Sequence, residues 1–175
     1  MSTIKAIETR WKGYRFRSRL EARYAVLFDA LGIQWEYEKE GYSLPNGMLY
    51  LPDFWIPLPF RVDGNNSGYF VEIKGESPST RELELATLLA INSKHHVHIF
   101  SGTPGEQETF YCMNNGEVRR EPSVGEEIPK SEWRAFQGRM SLMCFAHVCN
   151  SNARNIDSAI AAARSARFEH GETSR

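Results

Sequence analysis

The sequence predicts an α/β fold of helix, three strands, helix and strand, followed by a C-terminal extension. Three patterns predict it. Apolar residues recur at helical spacing over 18–31, alternate with polar ones in short segments between 34 and 74, and return to helical spacing over 81–92, ahead of a fourth strand-like segment.

The first helix, Ser18 to Leu31, carries Leu20, Tyr24, Leu27, Phe28 and Leu31 on one face. Ser18 followed by Glu21 has capping-box spacing, and Gly32 is a natural stop. In Gln34 to Ser43, Trp35 and Tyr37 alternate with Glu36 and Glu38, as in a half-buried strand. Pro45-Asn46-Gly47 signals a turn. Met48 to Ile56 reads as a second strand interrupted by Pro52, a residue suited to an edge, a strand end or a bend. Pro57, Pro59 and the cluster Asp63-Gly64-Asn65-Asn66 read as a loop, and Tyr69 to Lys74 as a third strand. Ser77 to Thr80 then leads into a helix over 81–92, with Leu85, Leu88 and Leu89 on one side. His96 to Phe100 is a fourth strand. Signals weaken beyond residue 102. There is a strand pattern at Thr109 to Met113 and an aromatic stretch around Trp133 and Phe136. The last element is an alanine-rich helix from Ile156 to Glu169, capped by Asn155 or Asp157 and stopped by Gly171. No repeat or linker divides the chain. The expectation is a core over 1–102 with a basic N-terminal arm, and an extension over 103–175 that packs on it and ends in a helix.

Composition narrows the classes. At 175 residues, 41% hydrophobic and 25% charged, the chain is long enough to bury a core and too apolar for wholesale disorder. No apolar run reaches the length of a membrane span, and the first residues lack the apolar stretch of a signal peptide. An odd count of three cysteines is no disulfide framework and suits a reducing compartment. A cytoplasmic protein without a membrane partner is the expectation. The net charge of −1 makes no global case for nucleic acid, but residues 1–23 carry seven basic groups against two acidic ones. Within that arm Lys12, Arg15, Arg17 and Arg19 are the candidates to hold a phosphate backbone.

Two short motifs carry chemistry. Pro52-Asp53 stands in one strand, and Glu72-Ile73-Lys74 in another. Alternation puts Glu72 and Lys74 on one face, about 7 Å apart, while Val71 and Ile73 point into the core. If the strands pair, Asp53 approaches Glu72. Hard divalent cations take oxygen ligands, often one or two carboxylates completed by water and a substrate phosphate. A metal so held activates water, and a lysine beside it orients that water or offsets developing charge. Glu21, one turn into the first helix, is a candidate third acid.

Taken in order, Glu21, Pro52-Asp53 and Glu72-Ile73-Lys74 resemble the PD-(D/E)XK nuclease superfamily. The strings SRLEARYAVLFDALG, YLPDFWIP and FVEIKGE look like small endonucleases of phages and mobile elements, related to Holliday-junction resolvases and transposon end-cleaving nucleases. The resemblance covers roughly residues 14–102. It implies a restriction-endonuclease-like core and Mg²⁺- or Mn²⁺-dependent hydrolysis of DNA in a bacterial or phage-infected cell. It also implies that Asp53 and Glu72 bind metal, that Lys74 positions water or phosphate, and that Glu21 assists a metal or the base. The Ile73 carbonyl is a further implied metal ligand. Symmetric cutting of two strands would suit a homodimer.

Plainer alternatives stand beside these. Glu21 can be a capping residue alone, Asp53 a turn acceptor, and Glu72 with Lys74 a solvated pair. Glu76, Glu38 and Glu40 read as solvent-exposed acids, and Arg81, Glu82 and Glu84 as an exposed helix start. Arg154, Arg164 and Arg167 read as a solvated helix end or as further phosphate contacts. A non-catalytic DNA-binding or host-interacting module on the same fold is one competing function. A zinc-stabilised protein using Cys112, Cys144, His147 and Cys149 is another, although Met143, Phe145, Ala146 and Val148 around those residues suggest core packing. His95, His96 and His98 read as satisfied or exposed histidines.

Overall fold

A computed structural model describes residues 7–45, 47–62, 65–120, 130–149 and 155–168. Lys5, Asn46, Asp63, Gly64, Arg154 and Gly171 lie outside the described residues. The chain opens with a hairpin, β1 (Thr9–Trp11) and β2 (Tyr14–Phe16), closed by positive φ at Lys12 and Gly13. Helix α1 (Arg19–Leu31) follows. Ser18 is its N-cap and accepts from the Glu21 N–H, and Gly32 ends it at φ 71°, donating to Asp29 and Phe28 carbonyls.

The strands come next: β3 (Glu36–Tyr37), β4 (Tyr42–Ser43), β5 (Leu49–Tyr50), β6 (Phe54–Val62) and β7 (Asn65–Lys74). Helix α2 (Thr80–Ser93) is closed at its start by a complete capping box of Ser79 and Glu82. Then come β8 (Val97–Ser101), β9 (Glu108–Cys112), β10 (Val118–Arg120), α3 (Lys130–Val148) and α4 (Ile156–Ser165). Among the described residues the fold is thus mixed α/β, with four helices and a six-stranded mixed sheet ordered β10-β9-β8-β7-β6-β3. Strands β7 and β8 run parallel, joined by the α2 crossover; the other neighbours in this sheet are antiparallel.

Alternation along the strands divides the core in two. Val71, Ile73 and Phe100 join α1, α3 and α4 in one cluster with Phe16, Phe28, Phe54 and Phe145. Phe70, Val97, Ile99, Phe110 and Cys112 join Ala86, Leu89 and Ala90 of α2 in the other. The sheet is therefore a middle layer with helices on both faces. The segment beyond residue 102 extends this same sheet through β9, and its helices share the α1 cluster.

Several expected elements differ. Gln34 to Ser43 is two dipeptide strands in separate sheets, because Glu38 turns the backbone at φ 44°. Met48 to Ile56 splits into β5 and β6 around Pro52-Asp53. The expected loop at Pro57, Pro59, Asn65 and Asn66 is instead part of the β6–β7 hairpin, with a register shift between Pro57 and Arg61. Past Trp55, β6 has lost its β3 neighbour, and an edge tolerates proline's missing N–H. The aromatic stretch at Trp133 and Phe136 belongs to α3, β10 was unforeseen, and α4 ends at Ser165 rather than Glu169. Asn155 takes the N-cap position of α4 without a side-chain bond, and Asp157 pairs with Arg139. No helix among the described residues is long and apolar enough to cross a membrane.

Candidate active site

Asp53 occupies the bend where β5 gives way to β6. The register Phe54 opposite Val71 sets it beside Glu72. Because β7 continues past the end of β6, the Ile73 N–H has no strand partner on that side. Asp53 Oδ2 accepts it at 2.7 Å. Asp53 Oδ1 accepts from Arg17 Nη2 at 2.5 Å, and its carbonyl accepts the Glu38 N–H at 2.9 Å. Burial, with the Glu72 and Glu21 charges, pushes the Asp53 carboxyl well above its ordinary range; the Ile73 N–H and Arg17 oppose the shift.

Glu72 lies on the α2 face of β7 and is 4% exposed. Burial pushes its carboxyl up, against Lys74 and a hydrogen bond donated by Tyr50. Glu72 Oε2 is 3.4 Å from Lys74 Nζ, which also lies 3.3 Å from Glu82 Oε1. Glu72 Oε1 is buried and, among the described residues, has no hydrogen-bond partner. Burial works against the Lys74 charge, but Glu72, Asp53 and Glu82 outweigh it, and the ammonium is held more firmly protonated than usual. Lys74 is therefore a donor at neutral pH, not a base.

Glu21 is buried at the start of α1 and engaged on both oxygens. Oε1 accepts from Ser18 Oγ at 2.7 Å; Oε2 accepts from Tyr37 Oη at 2.6 Å and the Arg17 N–H at 3.1 Å. It is thus a capping residue and also part of the charge field on Asp53. Ile73 gives the site its N–H, while its side chain packs in the α1 core.

Arg17 is the residue the charge pattern misplaced. Its guanidinium sits inside the acidic cluster, on Asp53 and, through Nε, on Glu38 Oε1 at 2.8 Å. Glu38 and Glu82, expected as solvated acids, are thereby tied to Arg17 and Lys74. Tyr37 and Tyr50, the hydroxyl donors to Glu21 and Glu72, were not foreseen; a tyrosine in a strand gives no sign of where its hydroxyl ends. Elsewhere in the arm Lys12 pairs with Asp29 at 2.5 Å and Arg15 grips Glu8, so two more expected phosphate contacts are engaged internally. Arg19 is exposed in the first turn of α1. At the other end of the chain, Arg164 is held by the Pro104 carbonyl and Glu106, both at 2.8 Å.

Among the described residues no three His, Cys, Asp or Glu side chains gather round one point. Mg²⁺ needs only one or two carboxylates, with water and phosphate supplying the rest. Asp53 and Glu72 meet that need: both are oxygen donors that burial pushes toward protonation, and Glu72 Oε1 has no hydrogen-bond partner among the described residues. The residues fit. The zinc set does not assemble. Cys112 packs in the α2 cluster, Cys149 against the α1 cluster on the opposite face of the sheet, and Cys144 is exposed. Around them Phe145 and Ala146 are buried, whereas Met143 and Val148 are exposed. His98 is neither exposed nor satisfied: it is buried with Nδ1 unpartnered among the described residues.

No known protein family and no curated protein matches the chain at a significant level.

Proposed function

We propose that this chain is a metal-dependent endonuclease of the PD-(D/E)XK type, with a restriction-endonuclease-like core, that hydrolyses DNA phosphodiester bonds. One observation carries the reading: Asp53 and Glu72 are buried side by side at adjoining strands, Glu72 keeps an oxygen with no partner among the described residues, and protonated Lys74 stands on the same strand. Asp53 and Glu72 would hold Mg²⁺ or Mn²⁺, with the Ile73 carbonyl as a further ligand. When bound, such an ion lowers the pKa of water and neutralises charge on the phosphate. Lys74 donates hydrogen bonds to the attacking water or to a phosphate oxygen and offsets the charge that develops there. Glu82 and Glu72 hold the ammonium in place. Glu21 contributes negative potential and, through Tyr37 and Ser18, fixes the start of α1 against Asp53.

A non-catalytic DNA-binding module is the second reading, and Arg17 on Asp53 is the observation that favours it. One assay separates the two. Purified protein is incubated with plasmid, linear, single-stranded and four-way-junction DNA in Mg²⁺, Mn²⁺ or EDTA, beside Asp53→Ala and Lys74→Ala. The expected result is metal-dependent cleavage that both variants reduce by about 10²-fold or more. Cleavage at the wild-type rate in both variants would overturn the site assignment. Metal-independent DNA binding without cleavage would establish the module.

A further inference from the structure

We propose that Arg17 is an exchangeable ligand of the acidic site, holding Asp53 in the metal-free protein and passing to a DNA phosphate once a divalent cation takes its place. The inference rests on the nuclease reading above. Asp53 offers two oxygens. Ile73 N–H takes Oδ2, so the oxygen left for a cation is Oδ1, the one Arg17 holds. Each carboxylate oxygen keeps a second lone pair, but guanidinium and metal are both cations and compete for the one charge of Asp53.

The two partners differ in access. The Arg17 side chain is 54% exposed, whereas that of Asp53 is 5% exposed. The guanidinium therefore covers the solvent side of the carboxylate. The Arg17 backbone is pinned, its N–H shared between Glu21 Oε2 and Tyr37 Oη at 3.1 and 3.0 Å. Only the side chain has to move. A released guanidinium on a pinned backbone stays within one side-chain length of Asp53, and its planar fork matches phosphate oxygens. Cation and DNA then promote one another, because each gains from breaking the same ion pair, and such coupling is reciprocal.

The experiment titrates Mn²⁺ into DNA-free protein by calorimetry for wild type, Arg17→Gln, Arg17→Met and Asp53→Ala. DNA affinity is then measured by fluorescence anisotropy in Ca²⁺ and in EDTA. Arg17→Gln and Arg17→Met, at a half-exposed position, are expected to fold and to bind Mn²⁺ about tenfold more tightly than wild type, within the usual range of coupling energies. Wild type is expected to gain DNA affinity with Ca²⁺, and both Arg17 variants to lose most of that gain. If Asp53→Ala abolishes Mn²⁺ binding while both Arg17 variants bind it no more tightly than wild type, the exchange is overturned and the nuclease site stands. If wild type binds no Mn²⁺, or Asp53→Ala binds it as wild type does, the reading of the acidic site falls with it.

Discussion

His98 makes stability depend on pH in a way that one substitution can isolate. The side chain is enclosed by the rings of Tyr69, Phe100, Tyr111 and Phe145, with His96 two residues earlier, just before β8. Burial, assisted by the His96 charge, lowers its pKa to about 3, against 6.5 for the unperturbed group. A depressed folded-state pKa means that, below pH 6.5, the unfolded chain binds a proton the folded chain refuses. Stability therefore falls as pH falls from about 6.5 toward about 3, by about 1.4 kcal/mol per unit. At pH 4.5 the loss relative to neutral pH is about 3 kcal/mol from this group, a large part of a typical domain's stability. The assay is urea unfolding at pH 7 and pH 4.5 for wild type and His98→Phe, an apolar ring of similar size. Both proteins carry the same carboxylates, so the difference between their pH dependences reports His98. The variant should retain about 3 kcal/mol more of its neutral-pH stability at pH 4.5. Equal pH dependences would refute a buried neutral histidine.

Two further predictions concern packing. A Cβ at Gly68 would collide with the Trp55 indole ring, so Gly68→Ala should lower the urea midpoint, at about 1–3 kcal/mol for overpacking, and an unchanged midpoint would contradict the β6–β7 register. Cys144 is exposed, Cys112 is buried, and burial pushes the Cys149 thiol up to about 12. Iodoacetamide followed by intact-mass measurement should give one rapid adduct in the native protein and three in urea. Three equal native rates would show that both β9 and α3 pack differently.

Local chemistry made part of this structure readable in advance. Ser18 and Gly32 bound α1, because capping rules act within four residues. Alternation at Val71, Glu72 and Ile73 sorted core from site on β7. Two kinds of information were not local. Proline reads as a strand breaker unless the strand is known to be an edge, and that depends on β3 beginning only at Glu36, opposite Trp55. Arg17 reads as one more charge in a basic arm, since no spacing rule ties residue 17 to residue 53. The same limit hid Tyr37 and Tyr50, whose hydroxyls act across gaps in sequence. The nuclease reading proposed above rests on the order of Glu21, Asp53, Glu72 and Lys74 and on their geometry.

The β6–β7 hairpin has a consequence for how this chain can change length. From Phe54 to Gly68 inward to Lys74, one alternation serves two masters: it aims Val71 and Ile73 at α1 and Glu72 and Lys74 at α2. Adding or deleting a single residue there would invert every side chain beyond it, emptying the core and the acidic site together. The register shift between Pro57 and Arg61 marks where that constraint ends. A peptide tag inserted beyond that shift leaves the register of Phe54 with Val71 unchanged and should spare the acidic cluster, whereas the same insertion between Phe54 and Pro57 would destroy it.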